Sequence, residues 1–428
     1  MYRYTINGGT PLNGLVRASG NKNAALPCIA ASLLTEEEVV LGNVPDIEDV
    51  RVMVSVLESL GVSARQDDSN TWRFHASSLS GSTIGAERAS RIRASILFAG
   101  PLLARTGECD LAPPGGDVIG RRRLDTHFIA LEGLGARVDV DGLFRLRAAQ
   151  LTGAQLFLDE ASVTATENAI MAAVLARGDT VIENAASEPH VQDLCRMLNA
   201  MGADISGVGS NILRIRGVPR LHGVSFSLGA DFMEVGSFIG LAAATRGEIT
   251  IEQAAPQHLK MTRIAFRKLG IDWEEAGQTI HVPAGQELRV QPDLGGMIPK
   301  IDDSPWPGFP PDLTSIMTVV ATQVEGTILI HEKMFESRMF FVDKLIGMGA
   351  RIVLCDPHRA VVSGPARLSG SELTSPDVRA GMAMVIAALS AQGRSVINNV
   401  YQIERGYEDL TRRLRALGAD ITRETDAD

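Results

Sequence analysis

The alternation of apolar and polar positions repeats six times along the chain. In each repeat, a stretch of helical period ends at a Leu-Gly or Met-Gly step, and a short run of strand-like period follows it. The six glycines lie 74, 67, 68, 79 and 69 residues apart. Each is predicted to end its helix in the left-handed conformation that glycine adopts most freely. The steps are Leu60–Gly61, Leu134–Gly135, Met201–Gly202, Leu269–Gly270, Met348–Gly349 and Leu417–Gly418.

A second recurring element is a run rich in β-branched residues, and it precedes each glycine step. Ala-rich helical stretches come before these runs, amphipathic helical segments follow them, and two short strands come after each glycine. Each repeat is therefore predicted to fold as βαβαββ. The six runs begin at Glu38, Glu108, Thr180, Glu248, Thr327 and Ser395.

The length of the chain indicates how the repeats are grouped. With 428 residues the chain is too long for one hydrophobic core, and six repeats divide most simply into three and three. A repeat of this size is larger than a solenoid unit, so closed globular halves are favoured over an open array. The prediction is an α/β protein of two domains.

Composition limits the classes of function. The chain is 45% hydrophobic with only 5% aromatic residues, and its net charge is −10, so binding to nucleic acid or to an acidic membrane is not expected. No apolar run is long enough to span a bilayer and none resembles a signal peptide, which predicts a cytoplasmic location. The cysteines and histidines are scattered without metal-ligand spacing, so neither a metal nor another cofactor is expected. The oligomeric state is left open.

Two segments depart from the repeat. The stretch 292–312 contains six prolines and is predicted to be an ordered loop of functional type. Its last residue, Asp312, precedes a helical run and fits a helix N-cap. The acidic tail 423–428 is predicted to be disordered.

The segment 113–123 combines flexible backbone with reactive side chains. Two prolines and three glycines surround Asp117, which suits a mobile lid that carries a carboxylate over a site. Three arginines follow directly at 121–123, as in an anion site. From the residues alone, a surface turn with a solvated aspartate and an exposed arginine face remains the alternative.

Lys22 precedes an Ala-rich helical stretch. A cation near a helix N-terminus opposes the helix dipole, so this position is unfavourable unless an anion shares it. The alternative is an exposed charge. Polar residues occupy equivalent loops in other repeats, at 117–123, Arg338 and Arg405, and these loops can converge if the two halves close.

Eight short motifs in order along the chain resemble the UDP-N-acetylglucosamine enolpyruvyl transferases, and they span nearly the whole sequence. That resemblance implies an inside-out α/β barrel in each domain, with three βαβαββ units per barrel. It implies a first domain at 22–229 carrying the lid, a second at 1–21 plus 230–428, and an active site in the cleft between them. The motifs are Gly20-Asn-Lys-Asn-Ala-Ala-Leu-Pro27, Pro114-Gly-Gly-Asp-Val-Ile-Gly120, Ala165-Thr-Glu-Asn168, Glu183-Asn-Ala-Ala-Ser-Glu-Pro189, Phe309-Pro-Pro-Asp312, Phe335-Glu-Ser-Arg338, Asp377-Val-Arg379 and Glu404-Arg-Gly-Tyr-Glu408.

The family's reaction moves the enolpyruvyl group of phosphoenolpyruvate onto the sugar 3-hydroxyl and releases phosphate, in the first committed step of peptidoglycan precursor synthesis. The resemblance implies that Lys22, Arg122 and Arg405 hold phosphoenolpyruvate with Asn23 nearby. It also implies that Asp117 is the acid and Asp312 the base. The positions implied for the nucleotide-sugar and the walls of its site are Asp49, Arg93, Arg123, Leu124, Asp125, Thr126, Ser162, Val163, Met334, Arg338, Asp377 and Arg379.

The chain departs from the family at several of these positions. Most members carry a cysteine where this chain has Asp117, so epoxide antibiotics that alkylate the cysteine, such as fosfomycin, are not expected to inactivate it. A cation, Arg123, replaces the usual proline beside the expected uracil, and Glu160, His190 and Phe232 also differ from the common residues. Two alternatives stay open: transfer to another acceptor, such as a different nucleotide or shikimate 3-phosphate, and a non-catalytic paralogue that binds a nucleotide-sugar.

Overall fold

The computed structural model describes residues 2–117 and 119–425, and they form two compact units. The amino-terminal unit comprises Gly20–Gly116 and Arg122–Gly229. The carboxyl-terminal unit comprises Met1–Ser19, Asp117–Arg121 and Ala230–Asp428. Each unit has its own large hydrophobic core, as a chain of this length requires.

Within the described residues, twenty-four strands form six four-stranded sheets. In chain order they are β1 (Tyr2–Gly8), β2 (Asn13–Arg17), β3 (Glu38–Gly42), β4 (Ser63–Asp68), β5 (Thr71–His75), β6 (Thr83–Ile84), β7 (Glu108–Leu111), β8 (Arg137–Val140), β9 (Phe144–Arg147), β10 (Gln155–Phe157), β11 (Asp179–Glu183), β12 (Asp204–Ser206), β13 (Ile212–Arg216), β14 (Val224–Ser227), β15 (Glu248–Glu252), β16 (Glu274–Ala276), β17 (Thr279–Val282), β18 (Lys300–Asp302), β19 (Gly326–His331), β20 (Arg351–Asp356), β21 (Arg359–Gly364), β22 (Glu372–Thr374), β23 (Gly393–Asn398) and β24 (Asp420–Thr425).

Fourteen α-helices and six short 3₁₀ segments connect these strands in the part of the chain that is described. The helices are α1 (Lys22–Ala31), α2 (Glu48–Ser59), α3 (Ala86–Ala89), α4 (Ala99–Thr106), α5 (Asp125–Gly133), α6 (Val163–Ala173), α7 (Pro189–Ala200), α8 (Phe232–Thr245), α9 (Lys260–Arg267), α10 (Thr314–Ala321), α11 (Val342–Gly347), α12 (Val378–Ser390), α13 (Tyr401–Glu404) and α14 (Leu410–Ala416). The 3₁₀ segments are Ser32–Leu34, Arg93–Phe98, Pro256–His258, Leu294–Gly296, Pro311–Leu313 and Arg338–Phe341.

The repeat that spans β10 to β13 shows the common topology. Strand β10 pairs in parallel with β11 across α6, β11 pairs antiparallel with β13, and β12 closes the sheet against β13. The spatial order β10-β11-β13-β12 recurs in the other sheets, which confirms the predicted βαβαββ repeat. The six β-rich runs found in the sequence are the second strands of the six sheets, β3, β7, β11, β15, β19 and β23.

Three of the sheets receive a strand from a distant part of the chain. Strand β14 pairs with β3, which lies near the start of the sequence, and β2 pairs with β15. Strand β1 inserts between β23 and β24 near the chain end. The pairings of β1 and β2 explain why the carboxyl-terminal unit includes the start of the chain, since two of its sheets are complete only with these strands.

The first helix of each repeat lies at the centre of its unit. In the carboxyl-terminal unit, α8, α10 and α12 pack against one another and are buried around almost their whole circumference. A helix that is apolar all round belongs in a core rather than at a surface. The second helices, such as α2 and α7, are amphipathic. Helices inside and sheets outside make each unit an inside-out α/β barrel, as predicted.

The six glycine steps end their helices as predicted. All six glycines have positive φ angles, between 74° and 103°. A side chain with a Cβ atom is disfavoured in this region, so glycine is the residue that allows the chain to turn into the next strand.

Two sequence-based predictions are corrected. The proline-rich stretch 292–312 is not loop throughout, because Lys300–Asp302 forms β18 and pairs in parallel with β19. The tail prediction is wrong for residues 423–425, which lie in β24 and pair with β1, and residues 426–428 lie outside the described part of the chain. Among the residues described, no helix is both long enough and apolar enough to span a bilayer.

Candidate active site

The amino ends of the three central helices meet in the carboxyl-terminal unit. Asp231 caps α8, Asp377 caps α12, and Asp312 lies in the 3₁₀ turn that leads into α10. Arg379, in the first turn of α12, joins them: its Nε lies 3.0 Å from Asp312 Oδ2 and its Nη2 lies 4.0 Å from Asp231 Oδ2. The three helix ends therefore carry one polar cluster inside an otherwise apolar core.

Asp312 is held between two guanidinium groups. Arg338 Nη2 donates to Oδ1 at 3.1 Å, and Arg379 Nε donates to Oδ2 at 3.0 Å. Both arginines are buried, yet the Nη1 atom of each has no hydrogen-bond partner among the described residues. A buried donor without a hydrogen-bond partner is costly, so these two atoms mark the least satisfied part of the cluster.

A buried carboxyl group, that of Glu332, also lies beside Arg338. Glu332 Oε2 lies 3.8 Å from Arg338 Nε, and burial raises the pKa of Glu332 to about 8. Burial alone would lower the pKa of Arg338, but Asp312, Glu332 and Asp377 together raise it. Nearby, Met334 is partly exposed, and its N–H donates to Asp303 Oδ2 at 3.2 Å.

Asp377 has a structural role that is visible in its contacts. Its Oδ1 accepts from the backbone N–H groups of Arg379 at 2.8 Å and Ala380 at 3.0 Å. Burial raises the pKa of Asp377, and the negative charge of Asp117 adds to that shift. The cap fixes the first turn of α12 and with it the direction of Arg379.

The lid carboxylate is paired with a residue predicted to bind the substrate. Arg405 Nη1 lies 2.5 Å from Asp117 Oδ1 and also donates to Gln402 Oε1 at 2.8 Å. The backbone N–H of Arg121 donates to Glu336 at 2.9 Å. These contacts group Asp117–Arg121 with the carboxyl-terminal unit, whereas the sequence places the lid in the first domain. Val118, within the predicted lid, lies outside the described residues.

Lys22 and Asp49 form a largely buried ion pair in the amino-terminal unit. Asn21 caps α1, Lys22 is its first residue, and Lys22 Nζ lies 2.6 Å from Asp49 Oδ2 in α2. The alternative of an exposed charge is therefore wrong for Lys22. Asn23 follows in the same first turn and is partly buried.

Arg93 holds the chain at the start of the predicted nucleotide-sugar segment. Its Nη2 donates to the carbonyl oxygens of Arg122 at 2.5 Å and Arg123 at 2.9 Å. Burial lowers the pKa of Arg93 to about 10, and the charge of Arg122 contributes. Arg123 lies 3.1 Å from Asp125 Oδ2 and 3.7 Å from Asp159 Oδ2, and both Arg121 and Arg123 are exposed, as the alternative of an exposed arginine face describes. Leu124 lies between them and precedes α5.

The buried His127 holds the other end of the segment 122–126 through two side-chain contacts. His127 Nδ1 lies 2.9 Å from Asn168 Nδ2, and its Nε2 lies 3.1 Å from Thr164 Oγ1. Burial, with a contribution from Arg93, lowers the pKa of His127 to about 3, so the ring is neutral. A neutral ring that accepts at Nδ1 donates its Nε2–H to Thr164. Thr126 is also fixed, because its hydroxyl donates to Asp159 at 2.6 Å.

Ser162 and Val163 begin the third central helix of the same unit. Ser162 caps α6 by accepting from the Ala165 N–H at 3.4 Å, and Val163 is the first helical residue. Both lie at a helix amino end, as Lys22 does in α1.

The structure adds residues that the sequence analysis did not single out. Asp231, Glu332, Tyr407 and Gln402 contact or neighbour the predicted groups of the carboxyl-terminal unit, and His127 and Asn168 do so in the amino-terminal unit. Tyr407 and Asn168 lie within two of the family motifs, which was a usable signal. Asp231 and Glu332 carry no such signal, because a lone acidic residue beside an apolar run also fits an ordinary helix cap or strand end.

Comparison with known proteins gives consistent results across the chain. The family model for EPSP synthase (3-phosphoshikimate 1-carboxyvinyltransferase) matches residues 6–414. A UDP-N-acetylglucosamine 1-carboxyvinyltransferase of Treponema denticola is 66% identical over 98% of this chain and 99% of its own. A protein of the same name from Bradyrhizobium diazoefficiens is 56% identical over 98% of each chain.

Solved structures share the architecture. The enolpyruvyl transferase NikO from Streptomyces tendae superposes with a TM-score of 0.88 at 25% identity, covering 100% of this chain and 99% of its own. An EPSP synthase from Acinetobacter baumannii reaches a TM-score of 0.76 at 17% identity over 99% of this chain and 100% of its own, which supports the fold alone. With a family model matched over most of its length and relatives of high identity, this chain belongs to the EPSP synthase family of carboxyvinyltransferases.

Proposed function

We propose that this protein transfers the enolpyruvyl group of phosphoenolpyruvate to the 3-hydroxyl of UDP-N-acetylglucosamine and releases phosphate. This is the first committed step of peptidoglycan precursor synthesis. The observation that carries the proposal is the 66% identity, over nearly the full length of both chains, to a relative named for this activity. The contacts of the residues that the family resemblance assigns to the reaction support the proposal within each unit.

In this proposal Lys22, Arg122 and Arg405 bind the phosphate and carboxylate of phosphoenolpyruvate, with Asn23 nearby. A small substrate with several negative charges needs fixed cations, and the guanidinium fork fits both phosphate and carboxylate. The ion pairs support these roles, because Lys22 and Arg405 each already hold a carboxylate. A substrate anion therefore enters these positions by sharing or replacing the protein's own carboxylates.

Asp117 acts as the acid in the first half of the proposed reaction. When the substrate takes over Arg405, the Asp117 carboxylate loses its guanidinium partner and faces added negative charge, which favours its protonated form. The acid then gives its proton to the methylene carbon, C3, of phosphoenolpyruvate. The positive charge that develops at C2 is stabilised by nearby carboxylates and by the phosphate that remains attached.

Asp312 acts as the base that completes the addition. The sugar 3-hydroxyl oxygen attacks C2 while Asp312 accepts its proton, giving a tetrahedral adduct. Loss of a C3 proton and departure of phosphate then restore the vinyl group on the new ether. Arg338 and Arg379 hold the two oxygens of Asp312.

The remaining predicted residues bind the nucleotide-sugar in this proposal. Arg93 and the segment from Arg123 to Thr126 contact the nucleotide-sugar, and the segment is positioned by Arg93 at one end and His127 at the other. Asp377 maintains the wall near the reacting sugar through the first turn of α12. The other residues proposed to contact the nucleotide-sugar are Asp49, Ser162, Val163 and Met334.

Release of phosphate from phosphoenolpyruvate, measured against a panel of acceptors, tests the proposal. Turnover with UDP-N-acetylglucosamine and formation of its enolpyruvyl ether are expected. Turnover only with another nucleotide or with shikimate 3-phosphate would show that the enzyme uses that acceptor instead of UDP-N-acetylglucosamine. Binding of the nucleotide-sugar without phosphate release from any acceptor would indicate a non-catalytic paralogue and overturn the proposal.

A further inference from the structure

Tyr407 lies behind the arginine that holds Asp312. Its ring centroid is 5.4 Å from Arg379 Cζ, a distance at which a guanidinium group is attracted to the face of an aromatic ring. The side chain is 1% exposed, so the contact is shielded from water. Tyr407 therefore provides a fixed apolar surface for one side of Arg379.

A second contact fixes Tyr407 itself. Its hydroxyl lies 2.8 Å from Ser237 Oγ, on the central helix α8, and Ser237 also donates to the Met233 carbonyl oxygen at 3.0 Å. Burial raises the pKa of Tyr407, which keeps the phenol neutral. The hydroxyl therefore ties the ring to α8, while the face of the ring supports a residue of α12.

The two arginines on Asp312 are supported in different ways. Arg338 lies over the Phe335 ring at 5.0 Å and near Glu332, whereas Arg379 lies over Tyr407 and near Asp231. Asp312 Oδ1 and Oδ2 are thus each held by a different arginine, and the two arginines pack against different aromatic rings. Loss of the tyrosine contact is expected to affect the Oδ2 side and to leave Arg338 in place.

We propose that Tyr407 and Ser237 are positioning residues for the transfer reaction: they fix Arg379, and Arg379 fixes the carboxylate of Asp312 that accepts the proton of the sugar hydroxyl. Neither residue touches the substrate in this scheme. The inference rests on the proposed function, because it assigns Asp312 the role of base. It predicts a loss in the rate of the chemical step without a comparable loss of substrate binding.

Three variants remove different parts of the contacts that Tyr407 makes. Tyr407→Phe keeps the ring and removes the hydroxyl that contacts Ser237 on α8 and Arg379. Ser237→Ala removes only the contact with α8, and Tyr407→Leu removes the aromatic face. The first two are expected to lower kcat by about threefold to tenfold and the third by about thirtyfold, with KM for both substrates within about twofold. Tyr4→Phe is the matched control, because Tyr4 is equally buried in the same unit and its hydroxyl bonds to Glu404 at 3.1 Å.

A double-mutant comparison separates positioning from general loss of structure. If Tyr407 acts through Arg379, Tyr407→Phe is expected to have little further effect on kcat in an Arg379→Lys background. Thermal unfolding of each variant identifies any that fail to fold, and Ser237→Ala then provides the same test with a smaller change. Equal kcat for Tyr407→Phe, Ser237→Ala and the wild type would overturn the inference, as would fully additive effects with Arg379→Lys. Absence of turnover in the wild type would instead overturn the proposed function.

Discussion

Asp117 and Arg405 form an ion pair with 2.5 Å between Oδ1 and Nη1. The proposed acid, Asp117, is therefore bound to Arg405, the arginine proposed to bind the substrate. Both side chains are largely buried, which strengthens the interaction relative to a surface pair. In the proposed reaction, phosphoenolpyruvate therefore competes with Asp117 for Arg405. This competition links arrival of the substrate to release of the acid.

Asp117→Asn is expected to lower kcat by about 10² to 10⁴, because an amide cannot donate the proton that the methylene carbon requires. KM for phosphoenolpyruvate is expected to stay the same or fall, since Arg405 loses a competing carboxylate. Steady-state phosphate release measures both. Asp139→Asn, on the exposed edge strand β8, is a control that leaves both values unchanged. A kcat within twofold of the wild type for Asp117→Asn would exclude Asp117 as the acid.

Fosfomycin is expected to leave this protein active, because the family resemblance predicts Asp117 at the position of the thiol that such epoxides alkylate. Asp117→Cys is expected to become sensitive, with time-dependent loss of activity and a covalent adduct visible by mass spectrometry. Cys355 is exposed, so the same experiment in a Cys355→Ser background excludes labelling there. Time-dependent inactivation of the wild type with label on Asp117 would contradict the prediction.

Asp312→Asn is expected to lower turnover strongly while preserving the fold. The amide cannot accept the sugar proton, and the loss in kcat is expected to reach about 10² to 10⁴. Arg338 and Arg379 lose a buried counter-charge, so thermal stability should also fall. Asp343→Asn, on helix α11, serves as the control. Binding of the nucleotide-sugar by calorimetry should persist, and its loss would show that Asp312 is needed for binding rather than for proton transfer.

Acid is expected to destabilise the protein partly through His127. Its pKa is about 3 in the folded chain and near 6.5 when unfolded, so the unfolded state binds more protons between these values. Stability contributed by the neutral ring is present above pH 6.5 and is lost as pH falls towards 3, by about 1.4 kcal/mol per pH unit. Urea unfolding of His127→Gln should show a flatter acid dependence than the wild type. The exposed His75→Gln control should not, and an unchanged slope for His127→Gln would contradict the assignment.

Local features of the fold could be predicted from the sequence because they depend on near neighbours. The glycine steps and the β-rich runs identify the helix ends and the second strands, and both are confirmed. The pairings of β14 with β3 and β1 with β23 could not be predicted, since they join segments far apart in sequence. Strand β18 was not predicted because prolines lie on both sides of its three residues.

In the candidate site, too, the residues could be predicted from the sequence, whereas their contacts could not. Motifs identified Lys22, Asp312 and Arg379 as candidates, but their contacts depend on which helix ends meet in the core. The pairing of Lys22 with Asp49 follows from the packing of α1 against α2, which hydrophobic periodicity does not specify. Tyr407 was passed over for a similar reason, because a tyrosine near an arginine in sequence does not indicate which arginine it supports.

The Lys22–Asp49 pair allows stability to be separated from function. Asp49→Asn leaves the Lys22 ammonium without its buried partner carboxylate, and the expected loss is about 3 kcal/mol in the free energy of unfolding. The double variant Lys22→Met with Asp49→Asn removes both charges and is expected to recover most of that stability. Its kcat/KM for phosphoenolpyruvate should nevertheless stay at least about a hundredfold below the wild type, because the proposed phosphate contact is gone.

Urea unfolding and phosphate release on the same four proteins, the wild type, both single variants and the double variant, give the two readouts. The surface pair Arg216 and Asp179, with 3.2 Å between Nε and Oδ1, is the control, since both side chains are mostly exposed and their removal should change neither readout. If the double variant regained activity together with stability, Lys22 would be a structural partner of Asp49 and would have no part in holding the substrate.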